Sequence, residues 1–115
     1  MTRTLKYRFG SKEINGRNYH FFVVGTPYEM LGTICASYLS DIKEVVMLIA
    51  DLERVINGTM EDCGWGQDAC SFTSEAHITY INYDFDQHTI TISTTEIIEL
   101  LRDWLTYLQQ QAQSA

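Results

Sequence analysis

The chain has 115 residues, of which 45% are hydrophobic and 12% aromatic, enough for one apolar core, which excludes a compositionally disordered protein. We expect one domain, 1–115, because two domains of this total length would each be marginally stable. The net charge of -7 at pH 7 argues against nucleic-acid binding, since a phosphate backbone attracts clustered lysine and arginine.

The first ten residues and the cysteines indicate a cytoplasmic protein. The N-terminal segment 1–10 carries charges but no apolar stretch of the secretory type. No apolar run approaches the length of about 18 residues that a membrane span needs, so we expect no membrane partner. The three cysteines are odd in number and sparse, which favours reduced thiols over a disulfide framework.

Charge is distributed unevenly along the chain. Residues 1–25 contain five lysines and arginines and one acidic residue, a net charge of +4. Residues 26–115 contain three cationic and fourteen acidic residues, a net charge of -11. The second part is therefore expected to attract a basic partner.

Two segments within 1–25 predict an N-terminal β-hairpin. Apolar side chains alternate in both segments, and Asn15-Gly16 between them is a strong turn signal. Because both faces of the second segment are largely non-polar, we expect a central strand buried on both faces. The alternating residues are Leu5, Tyr7 and Phe9 in the first segment and Tyr19, Phe21 and Val23 in the second.

Two helices are predicted next. Thr26 and Glu29 have the spacing of a helix-starting capping box, although Gly32 weakens the helix that follows. The second helix is expected to begin near Ser40 with Asp41 in its first turn and to end at Asn57-Gly58. Its predicted buried stripe contains Ile42, Val45, Val46, Ile49, Leu52, Val55 and Ile56.

The C-terminal half predicts three strands and a last helix. Gly64-Trp65-Gly66 has the composition of a turn, and strands are expected over 70–75, 77–83 and 89–93. Ser93 and Glu96 have the spacing of a capping box, which predicts a helix from there to about Gln111. We expect the tail at 109–115 to fray and Trp104 to lie in the core. The order ββ-α-α-βββ-α predicts an α+β fold, with a single layer of helices packed on a largely antiparallel sheet of about five strands.

No motif for catalysis or cofactor binding stands out. The chain has no Cys-x-x-Cys or His-x3-His spacing, and its glycines match no phosphate-binding loop, so we expect no metal, no cofactor and no enzymatic activity. An enzyme or small-ligand site remains an alternative, in a cleft near Cys63, Cys70 or His77.

Acidic and aromatic residues concentrate in two predicted loop regions. Carboxylates steer a basic partner and aromatic side chains supply contact area, as at many protein interfaces. Alternatively, Trp65 folds onto the core and the acids are solvated turn residues. The candidate binding residues are Glu61, Asp62, Trp65 and Asp68 after the second helix, and Tyr83, Asp84 and Asp86 in the next hairpin connection.

The region from Asp41 to Leu108 has a distinctive succession of segments. A long helix ends in 51–58, an acidic and glycine-containing segment covers 61–70, and after the strands 92–96 opens a helix that contains Leu100-Leu101-Arg102-Asp103-Trp104-Leu105. This succession resembles small bacterial immunity proteins encoded beside polymorphic or contact-dependent growth-inhibition toxins.

The resemblance implies a cytosolic antitoxin that binds a cognate toxin domain, often a nuclease, and occludes its active site. An acidic inhibitor suits the basic cleft of a nuclease. The basic N-terminal hairpin departs from this acidity, which leaves open whether that end faces the toxin. A non-enzymatic adaptor or regulatory module with another protein partner is the alternative function.

Overall fold

The computed structural model describes residues 5–26, 28–29, 31–32, 39–67, 70–83 and 88–114. Over these residues the chain is α+β, as predicted, with two helices and two antiparallel sheets. The elements are β1 (Tyr7–Ile14), β2 (Arg17–Val24), α1 (Ile42–Ile56), β3 (Cys63–Gln67), β4 (Cys70–Ser74), β5 (Ile78–Tyr83), β6 (His88–Ser93) and α2 (Thr94–Ser114). Of the helix predicted after Thr26, Glu29, Leu31 and Gly32 are described and helical, and the rest lies outside the described residues.

The expected single sheet of about five strands is wrong in detail, because the six described strands form two sheets. β1 and β2 make a two-stranded sheet, and the other strands pair in the order β3-β4-β5-β6. The additional strand is β3, where the glycines predicted a turn. A Cβ atom on Gly64 would lie 2.7 Å from the backbone oxygen of Phe72, so this glycine permits close strand pairing.

The N-terminal hairpin and its turn are confirmed. Asn15 and Gly16 have φ angles of 53° and 79°, as a two-residue turn with positive φ at both positions requires. The expected burial of β2 on both faces is wrong: Phe22 and Val24 are buried, but the opposite face is exposed. The reason is that β2 belongs to a two-stranded ribbon of which only one face packs on the core.

Helix α1 ends as predicted and begins at Ile42, so Asp41 is its N-cap and does not lie in the first turn as expected. The Asp41 side chain accepts a hydrogen bond from the Lys43 backbone N at 2.9 Å, and Gly58 after the helix has a φ of 85°. The predicted stripe is partly wrong, because Val46 and Ile56 are exposed. The buried positions repeat every three or four residues and are Val45, Leu48, Ile49, Leu52 and Val55.

Helix α2 follows β6 directly and continues to Ser114, so the residues expected to fray, 109–114, are helical. The Glu96 carboxylate accepts a hydrogen bond from the backbone N of Leu5 at 2.9 Å. The residue predicted to complete a capping box with Ser93 therefore ties the segment before β1 to the first turn of α2.

Trp104 in α2 lies at the centre of the core, as predicted, and is fully buried. Its indole Nε1 donates a hydrogen bond to the backbone oxygen of Leu39 at 2.8 Å. Its ring centroid lies 4.9 Å from that of Phe22, 5.7 Å from that of Phe9 and 5.6 Å from that of Tyr107. The hairpin, the segment before α1 and helix α2 therefore meet at one side chain.

Gly32 packs against the hairpin backbone, and its substitution is expected to destabilise the protein. A Cβ atom here would lie 2.5 Å from the backbone oxygen of Phe22, so Gly32→Ala should lower the free energy of unfolding by about 1–3 kcal/mol. Urea denaturation measures the change. Gly25→Ala is the matched control, because its Cβ would lie 3.7 Å from the Lys6 oxygen, an ordinary contact. Equal losses in both variants would contradict this account.

Candidate functional site

Glu61 and Asp62 are exposed in the short segment between α1 and β3. A hydrogen-bonded turn leads into this segment. The backbone N atoms of Thr59 and Met60 donate to the Arg54 oxygen at 2.9 and 3.1 Å, and the Thr59 N also donates to Asn57 Oδ1 at 3.0 Å. The two carboxylates are therefore carried by a backbone that α1 holds in place.

The two carboxylates differ from Asp51 and Glu53, the acids in the second half of α1, in having no cationic partner. Asp51 is paired with Arg54 at 3.1 Å, and Glu53 is paired with Arg102 at 2.9 Å. Within the described part of the chain, Glu61 and Asp62 make no such ion pair. Their negative charge is therefore not compensated by an ion pair with a described residue.

Cys63, the first residue of β3, is a free half-buried thiol. Burial raises its pKa to about 11, and the negative charges of Asp51 and Asp62 act in the same direction. At neutral pH the thiol is protonated and a poor nucleophile. The proximity of Asp51 was missed by sequence reasoning, because helical spacing alone does not reveal which turn of α1 faces β3.

Tyr83 lies at the other end of the four-stranded sheet. Its ring stacks on that of His88, with centroids 5.2 Å apart and an interplanar angle of 26°. The strand register aligns Tyr83 with Cys70 and His88, whereas Cys63 aligns with Ser74. The five residues of β3 separate the two ends by roughly 13 Å. The structure therefore does not bring Glu61 and Asp62 together with Tyr83.

The remaining predicted binding residues are less completely described. Trp65 lies within β3, opposite Phe72 of β4, so its expected position in a loop is wrong. Its side chain lies outside the description, as do Asp68, Asp84 and Asp86. Their part in binding stays a prediction.

The described residues contain no group of three or more His, Cys, Asp or Glu that could hold a metal ion. His77 is exposed, and its backbone oxygen accepts from the Thr94 N at 3.3 Å. A groove of about 410 Å³ lies elsewhere, between the hairpin and both helices, and His20, Ile42 and Leu108 contribute to its lining. Of the described helices, none has a long enough apolar stretch to cross a membrane.

Comparisons with protein-family models, with curated proteins and with solved structures each found no match to the chain. A functional proposal therefore depends on the chemistry of the described residues and on the sequence pattern of 41–108.

The Cys63 thiol is expected to react slowly with iodoacetamide near neutral pH. Because only the thiolate attacks, the rate should rise about tenfold per pH unit until it levels near the pKa of about 11. Asp62→Asn removes one negative charge and should speed the reaction at lower pH. Peptide-level mass spectrometry separates Cys63 from Cys35 and Cys70, and circular dichroism checks that the chain stays folded. A rate that levels at the ordinary thiol pKa of 9.0 would refute the assigned environment.

Proposed function

We propose that the chain is a cytoplasmic immunity protein that binds a cognate toxin domain and neutralises it by steric and electrostatic occlusion. The observation that carries the proposal is the pair of exposed, uncompensated carboxylates, Glu61 and Asp62, at the start of edge strand β3. The resemblance of 41–108 to small bacterial immunity proteins supports it.

In this mechanism the acidic part of the chain acts first, through long-range attraction. Residues 26–115 have a net charge of -11, which draws a basic toxin surface toward the protein. At contact, Glu61 and Asp62 take positions where a nuclease would otherwise bind substrate phosphates. Such complementarity raises the association rate and orients the partner. Neutralisation then needs no catalytic group, cofactor or nucleic acid.

The binding surface would extend along the sheet if the toxin also contacts Tyr83. The two ends lie roughly 13 Å apart, within the width of a standard protein interface of about 800 Å² per partner. Trp65, Asp68, Asp84 and Asp86 complete the proposed set of contacts.

Two other functions are distinguishable from neutralisation. A non-enzymatic adaptor or regulatory module would use the same acidic surface on a partner that is not a toxin. An enzyme that used Cys63 as its nucleophile is disfavoured by the raised pKa of that thiol, which suppresses the thiolate form.

Co-expression with the protein encoded immediately upstream tests the proposal directly. We expect the two proteins to copurify, and the chain to restore growth to cells that express the upstream protein. The two results together identify neutralisation, because a partner without toxicity would copurify without affecting growth. Absence of both the complex and the rescue would overturn the proposal.

Charge reversal at the acidic surface tests the assigned residues. The double variant Glu61→Lys, Asp62→Lys should slow association with the toxin roughly tenfold and weaken the salt dependence of the rate, because local attraction becomes repulsion. Stopped-flow mixing measures both quantities.

The matched control for that experiment is Glu13→Lys, Glu44→Lys, which makes the same change in net charge at exposed acids of β1 and α1. Equal slowing by both double variants would mean that overall charge alone steers binding. An unchanged rate in the Glu61 and Asp62 variant would place the interface elsewhere.

A further inference from the structure

The outer face of the N-terminal hairpin exposes an unusual concentration of apolar side chains. Tyr19, Phe21 and Val23 of β2 are 48%, 38% and 47% exposed, and Ile14 of β1 is 45% exposed. These are four of the seven large hydrophobic residues exposed in the described part of the chain. A contiguous apolar surface of this kind on a folded domain is typical of an interaction site.

Cationic residues accompany these apolar side chains across the ribbon. The strand register sets Arg8 opposite Val23, Lys12 opposite Tyr19, and Arg17 opposite Ile14. All three cations are exposed, and none has an ion-pair partner among the described residues. Glu13, the single acidic residue of 1–25, alternates onto the opposite face. Over the described strands β1 and β2, the outer face therefore combines apolar side chains with cationic ones and carries no acidic residue.

The inner face of the hairpin packs on the core and supports the outer face. The two-residue turn fixes the strand register, and Phe9 and Phe22 on the inner face pack against Trp104. On the outer face the Phe21 ring lies over Gly10, where an added Cβ would meet its Cζ atom at 2.9 Å. A preformed surface of this kind loses little conformational entropy on binding.

From this placement we infer that the outer face of the hairpin docks a short segment of a partner protein in which Asp or Glu residues accompany aliphatic or aromatic ones. The cations of the hairpin would pair with the carboxylates of the segment, and the apolar side chains of the hairpin would pack against the apolar residues of the segment. The face measures roughly 26 Å by 10 Å, the size of one segment and not of a complete standard interface.

A protein segment fits this face better than a polyanion. The chain as a whole has a net charge of -7, which repels nucleic acid and anionic lipid alike beyond the immediate surface. Tyr19 and Phe21 offer stacking surfaces to bases, whereas Ile14 and Val23 on the same face are aliphatic and offer none, so the preference for protein rests on the net charge and on these aliphatic side chains. The inference does not depend on toxin neutralisation, since the acidic surface at Glu61 and Asp62 is a different part of the chain.

Selection from a displayed library of random peptides, about ten residues long, tests the inference on the full chain. We expect enriched sequences that combine Asp or Glu with aliphatic or aromatic residues. A labelled synthetic peptide of the enriched type is then titrated by fluorescence anisotropy. Lys12→Glu should weaken its binding at least about tenfold, whereas Lys43→Glu, an equal charge change at an exposed lysine of α1, should weaken it less than about twofold.

A second matched pair tests the apolar component. Val23→Ser should weaken peptide binding severalfold, while Val46→Ser in α1 should not, although the two valines are 47% and 46% exposed. Circular dichroism and urea denaturation establish that each variant is folded. These comparisons use no toxin, so their outcome is separate from that of the co-expression experiment.

Several outcomes would overturn the inference. They are a library without enrichment, enriched peptides without acidic residues, and binding that Lys12→Glu leaves unchanged. Lys12-dependent binding of a single-stranded DNA oligonucleotide or of phosphatidylserine vesicles, without peptide binding, would assign the face to a polyanion instead.

Discussion

The packing of the Trp104 ring is the interaction on which the rest of the structure depends. Among the described strands, those of the hairpin do not pair with the four-stranded sheet, so side-chain packing is needed to attach the hairpin to the rest of the protein. Phe9 and Phe22 contact the indole from the hairpin, and Leu39 accepts its hydrogen bond. Removing a buried tryptophan side chain typically costs about 3–5 kcal/mol, against total domain stabilities of about 5–15 kcal/mol. One side chain thus holds together parts of the chain that are distant in sequence.

This attachment explains how the chain keeps two chemically opposite surfaces apart. The hairpin presents cations beside apolar side chains, whereas the segment before β3 presents the carboxylates of Glu61 and Asp62. If both belonged to one continuous sheet face, their charges would compensate each other at short range. Because the inner face of the hairpin packs in the aromatic cluster, its charged outer face stays exposed to solvent in the folded protein. Each surface therefore retains its own charge.

Local sequence signals were sufficient to predict part of the fold. They failed where the structure of a segment depends on residues that are distant in the sequence. The turn at Asn15-Gly16 and the end of α1 at Asn57-Gly58 involve only nearby atoms, so the sequence pattern predicted them correctly. Strand β3 was missed because Gly64 has turn composition, and its pairing with β4 is a tertiary property. The exposed face of β2 was misjudged for the same reason, since alternation does not tell what covers a strand. The separation of Glu61 and Asp62 from Tyr83 follows from the strand register, which no local pattern contains.

The direct junction between β6 and α2 limits where the chain can gain or lose residues. Ser93 ends the strand and Thr94 begins the helix, so no loop absorbs a change in chain length there. The Thr94 hydroxyl is fully buried, donating to the Glu75 oxygen at 2.6 Å and lying 2.9 Å from Thr79 Oγ1. An inserted residue would rotate α2 by about 100° relative to the sheet. This rotation would turn the apolar side of α2 away from α1 and from the four-stranded sheet. Insertions and deletions should therefore be selected against at this junction, while the exposed turn of the hairpin tolerates them, so changes in chain length are expected at that turn.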